Sequence, residues 1–147
     1  MRTFDDLRAG ERLDLGSVSV TEEEILAFAR DFDPQPFHVD AEAAARSPYG
    51  GLIASGWHTG SLYMRLLATG FLNDTASVGS PGLDELRWPA PVRPGDTLHA
   101  ELEILETRPS ASKPHLGIVR SRGTLSNQEG TTVLVVVATN FIERAAS

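Results

Sequence analysis

Residues 58–71 read HTGSLYMRLLATGF, and the chain's fold turns on this stretch. Leu62, Tyr63, Leu66, Leu67 and Phe71 fall at helical spacing and cover a wide face, so a buried helix is expected from about His58 to Phe71. After Gly82 the period changes to two. Leu83–Trp88 reads as a strand and Pro89–Asp96 (PAPVRPGD) as a loop. Leu98, Ala100, Leu102 and Ile104 alternate with His99, Glu101 and Glu103 as a half-buried strand. Leu116–Leu125 is a further strand, and Asn127–Gly130 a turn. Thr132–Phe141 (TVLVVVATNF), rich in β-branched residues, reads as a central, well-buried strand.

Upstream of the helix, Leu13–Val20 alternates weakly as an opening strand. Thr21 and Glu24 fit a capping box, with Ile25, Leu26, Phe28 and Ala29 following at helical spacing. This first helix should end near Asp31, because Pro34 disfavours helical geometry at Asp33. Asp33–Asp40 (DPQPFHVD) reads as a loop in which two prolines prevent a helix. Asp40 is placed to cap a short helix over Ala41–Arg46, and Pro48–Gly51 breaks it. Strand, helices, then antiparallel strands predict an α+β domain, a sheet packed on one long helix, spanning residues 1–147 as a single domain.

The 147 residues are 41% hydrophobic and 22% charged, the profile of a soluble globular chain. A net charge of -7 argues against general nucleic-acid binding. The absence of cysteine removes disulfides, thiolate catalysis and cysteine-ligated zinc. Met1–Arg12 lacks the apolar run of a signal peptide, and no stretch approaches the about 20 apolar residues a bilayer span needs. The expectation is a cytoplasmic protein without a membrane or nucleic-acid partner.

Chemistry concentrates in Phe28–Gly60 (FARDFDPQPFHVDAEAAARSPYGGLIASGWHTG). His38 lies five positions beyond Asp33, at most ~17 Å away when extended, so the loop must bend for the side chains to meet. Pro34 and Pro36 stiffen that bend. A carboxylate and an imidazole sharing one water can move protons to and from a substrate. The segment resembles the MaoC-like dehydratases, the group that includes the R-specific enoyl-CoA hydratases. Their motif Asp-x-Asn-Pro-x-His is matched by Asp33-Pro34-Gln35-Pro36-Phe37-His38, with Gln35 where the family has Asn. Ser55-Gly56-Trp57 stands where the family has a glycine opening its central helix, and Trp88–Leu98 (WPAPVRPGDTL) is similar to its aromatic, Pro-Val and Gly-Asp stretch.

The resemblance implies a hot-dog fold, an antiparallel sheet wrapped around a long central helix. It implies reversible hydration of a trans-2-enoyl thioester to an R-3-hydroxyacyl thioester, with coenzyme A or an acyl carrier as part of the substrate and no separate cofactor. It casts Asp33 and His38 as the pair that holds the water, the Gly56 N–H as donor to the thioester oxygen, and Gln35, Ser55 and Trp57 as substrate-binding residues. It also implies a homodimer or higher homo-oligomer. Two other readings stand beside it: a hot-dog acyl thioesterase, and a non-catalytic acyl-thioester-binding subunit.

Each residue has a plainer account. Asp33 and His38 can belong to a stiff surface loop, Gly56 to a turn, Ser55 to a helix cap, and Trp57 to the core. His58 reads as a packed or partly exposed histidine, and His99 and His115 as surface. No metal is expected, since Asp40 suits a cap and nothing else completes a shell around Asp33 and His38. Arg65, Arg87, Arg93, Lys113, Arg120 and Arg122 are candidates, by charge only, for contacting the anionic carrier.

Overall fold

The computed structural model describes residues 1–146. Its helices are α1 (Glu22–Phe32), α2 (Pro36–Val39), α3 (Ala41–Ala45) and α4 (Gly56–Gly70). Its strands are β1 (Arg12–Ser19), β2 (Ser77–Arg87), β3 (Thr97–Pro109), β4 (Leu116–Ser126) and β5 (Thr132–Glu143). They form one antiparallel sheet in the order β1-β3-β4-β5-β2. The sheet wraps α4, which is the expected hot-dog arrangement.

The apolar face read from residues 58–71 is the one that packs. Leu62, Tyr63, Leu66 and Phe71 are buried in one cluster with Leu98, Ala100, Leu102 and Ile104 of β3, while Met64 on the opposite face is half exposed. At Gly123 of β4, a Cβ would run into the Tyr63 hydroxyl, so helix and sheet approach closely because that residue has no side chain. No helix among the described residues is long and apolar enough to cross a membrane.

Four local expectations need correction. The long helix begins at Gly56, two residues early, because Ser55 caps it by accepting the Trp57 N–H at 3.2 Å. Strand β2 begins at Ser77 rather than Leu83. Register shifts on either side of Gly79 and Gly82, both at positive φ (128° and 152°), break the alternation that would reveal it. The DPQPFHVD loop contains a helical turn, α2. Pro36 sits at its start, where the missing N–H costs nothing and the fixed φ favours the turn. Finally, β5 is an inner strand but not the middle one; β4 is. Val135, Val136, Thr139 and Asn140 of β5 are only half buried, so its continuous apolar run does not mean burial on both faces.

Candidate functional site

Asp33 caps the C-terminus of α1, and its backbone leaves helical geometry at φ -155°, ψ 68°. One turn further on, α2 carries His38 inward, where it is 4% exposed. The bend therefore brings the two side chains together: His38 Nε2 lies 3.3 Å from Asp33 Oδ2. The other ring nitrogen, Nδ1, is 2.8 Å from the Ile53 carbonyl oxygen. A carbonyl only accepts, so Nδ1 carries a proton and Nε2 is the atom free to gain or lose one.

Both Asp33 oxygens are held. Gln35 Nε2 donates to Oδ1 and the Ser55 hydroxyl donates to Oδ2, each at 2.7 Å. Burial works to raise the Asp33 pKa, but these two hydrogen bonds and the charge His38 can carry outweigh it. The carboxyl is held below its ordinary value and is ionised at neutral pH. Gln35, the departure from the family motif, thus still reaches the carboxylate. Gln35→Leu should move the acidic limb of any Asp33-dependent rate to higher pH, since it removes an interaction that favours the ionised form. The rate at pH 7 should fall by roughly tenfold, the scale of one hydrogen bond to a charged group. A kcat/KM profile with an unmoved acidic limb would show that Asp33 is not the group titrating.

A cavity of about 450 Å³ opens over this pair, lined also by Gly56, Trp57, Trp88 and the segment Pro89–Val92. Gly56 is the first residue of α4, so its N–H is one that no helical carbonyl accepts, at the positive end of the helix dipole. The space a Gly56 Cβ would occupy is filled by the Trp88 indole, with ring atoms 2.6, 2.8 and 3.0 Å away. The glycine is required there by a neighbouring ring.

The remaining residues sort as follows. Ser55 is both a cap and a donor to Asp33. Trp57 is 60% exposed, which overturns its reading as core; it meets Trp88 edge-on at 5.5 Å and lines the cavity. Asp40 accepts from the Glu42 and Ala43 N–H groups as the cap of α3. Among the described residues no three His, Asp or Glu side chains converge as a metal site would need. Of the candidate cations, Arg87, Arg120 and Arg122 pair with Glu85, Asp84 and Glu103. Arg93 instead donates to the Tyr49 carbonyl at 2.6 Å, beside the cavity. Arg65, Lys113, His99 and His115 are exposed.

His58 is buried, stacked on Phe28 with centroids 4.8 Å apart, and its Nδ1 has no hydrogen-bond partner. Burial lowers its pKa, opposed by Glu24 and aided by Arg65. The unfolded chain therefore binds a proton near pH 6.5 that the folded chain resists, and stability should fall as pH drops below that value. Thermal melts from pH 7 to 5 should show a smaller decline for His58→Phe, which keeps the ring stack. Equal declines would place the acid sensitivity elsewhere.

Residues 7–125 match the model of the MaoC like domain family. The chain belongs to the MaoC-like dehydratase family. It is 43% identical to the MaoC-like dehydratase from Rhodospirillum rubrum, whose crystal structure superposes with a TM-score of 0.93 over 100% of both chains. It is 36% identical over 113 residues to 3-hydroxyacyl-thioester dehydratase Z of Mycobacterium tuberculosis, covering 71% of this chain and 75% of that one. The R-hydratase PhaJ1 from Pseudomonas aeruginosa shares 29% identity with a TM-score of 0.75, over 97% of this chain and 86% of its own. In this MaoC-like chain, sequence reasoning missed two members of the site. Ile53 acts through its backbone carbonyl, which no side-chain pattern reports. Trp88 was visible as the aromatic of WPAPV but carried no role.

Proposed function

We propose that this protein interconverts a trans-2-enoyl thioester and an R-3-hydroxyacyl thioester. The observation that carries the reading is the Asp33–His38 pair, with Nδ1–H tied to Ile53 and Nε2 turned to the carboxylate. A water lying beside the pair and touching both groups meets a proton acceptor in each. In hydration its oxygen bonds to C3 of the enoyl group and one O–H bond breaks. The released proton passes to the pair, and C2 receives a proton from it, so the sum is one water added across the double bond. Negative charge that gathers on the thioester oxygen is met by the Gly56 N–H and the helix dipole. No step calls for a cofactor beyond the coenzyme A or acyl carrier that the substrate brings. The protein works as a homodimer or higher homo-oligomer, consistent with the exposed edge that β2 presents.

The test follows crotonyl-CoA through its conjugated absorbance beside a thiol reagent. Absorbance loss without thiol release supports the hydratase. Thiol release shows a thioesterase instead, and binding without turnover of any enoyl-CoA shows a binding subunit.

A further inference from the structure

A second cavity, about 310 Å³, lies on the other side of the indole pair, between α4 and strands β2 and β5. It is an apolar groove open to solvent, lined by Leu67, Leu86 and Val136 together with the half-exposed Met64 and Leu83, with few polar groups. The two cavities have only Trp57 and Trp88 in common. Trp88 cannot easily swing aside. Its Nε1–H donates to the Gly56 carbonyl at 2.8 Å, its ring lies on the Gly56 Cα, and the Trp57 ring meets it edge-on. Its backbone is also restricted to extended geometry by Pro89.

We infer that Trp88 sets the acyl-chain length this protein accepts, standing as a fixed partition between the Asp33–His38 cavity and the apolar cavity beyond. The inference rests on the hydratase reading. With the thioester oxygen at Gly56, the hydrocarbon tail starts beside the indole. An apolar tail gains by leaving water in proportion to the surface it buries. The nearest space suited to a long tail is the apolar cavity, and Trp88 stands at its boundary. The wild-type protein therefore favours short enoyl thioesters, and removing the indole joins the two spaces.

The experiment compares kcat/KM for crotonyl-CoA and trans-2-octenoyl-CoA in the wild type, Trp88→Ala and Trp88→Phe. The readout is the octenoyl-to-crotonyl ratio, which general damage to the site leaves unchanged. Trp88→Ala should raise it by about tenfold or more, the effect of burying roughly two further methylene groups. Trp88→Phe keeps a ring but loses the anchor to Gly56, and should fall between. A ratio within about twofold of wild type in both variants overturns the inference even if absolute rates drop. If the wild type turns over neither substrate, the hydratase reading fails by itself. The same ratio is then read from the Kd of butyryl-CoA and octanoyl-CoA by calorimetry, where an unchanged ratio, or no binding of either, overturns the partition too.

Discussion

If the protein is the hydratase proposed above, Asp33→Asn is expected to lower kcat/KM for crotonyl-CoA hydration by about 10³-fold while leaving the thermal midpoint near wild type. The magnitude is that of a positioned proton-transfer group. Asparagine keeps the shape of the side chain but cannot take a proton. It also sets an NH2 group where the carboxylate oxygens accepted hydrogen bonds from Gln35 and Ser55, one on each oxygen. The amide keeps one acceptor oxygen, and the Ser55 hydroxyl can turn to accept from the new NH2. His38→Ala should lose as much activity by a different route. It removes Nε2 from the water and leaves the Ile53 carbonyl without its Nδ1–H partner. His38 is buried, so this variant should also lose stability, which makes Asp33→Asn the cleaner measurement. Hydration persisting at the wild-type rate in Asp33→Asn would remove the pair from the mechanism.

Gly56→Ala should cost about 10²-fold in kcat, comparable to losing a donor to a developing oxyanion. The N–H itself survives the substitution. What changes is its position, because the new methyl would lie 2.6 Å from the Trp88 ring. The ring is held by its hydrogen bond to the same residue's carbonyl, so the clash is relieved by moving the start of α4. In a Trp88→Ala background the same Gly56→Ala change should cost far less. Comparing the two pairs of proteins separates the causes. An equal cost in both backgrounds would mean that the substrate, not the indole, meets the added methyl.

The elements that local pattern governs were legible. The buried face of α4 is written in Leu62, Tyr63 and Leu66. The cap of α1 is written in Thr21 and Glu24, which form the reciprocal hydrogen bonds of a capping box. β3 is written in its alternation. The motif also brought Asp33 and His38 together on paper, because a resemblance carries spatial information that spacing lacks. The failures share a cause. β2 was cut short where Gly79 and Gly82 interrupt its register. The α2 turn was hidden because a proline that stops a helix in its interior starts one at its first residue. The plainer account of Trp57 as core fails although a large apolar residue beside a buried helix usually is core, because 60% of it faces solvent.

The sequence by itself determined an α+β chain and the helix that its sheet wraps, since these depend on period and residue type over short stretches, and its resemblance to a family marked Asp33, His38 and Gly56 as the candidates for chemistry. Only the tertiary structure decided the tautomer of His38, the two donors on Asp33, the reason for Gly56 and the place of Trp88 between two cavities. Apart from the Gln35 donor, two residues from Asp33, each of these is a contact between segments distant in the chain. Ile53 contributes a backbone carbonyl, identical in every residue type. Trp88 reaches Gly56 from 32 residues away, by a route fixed by how β2 ends against α4.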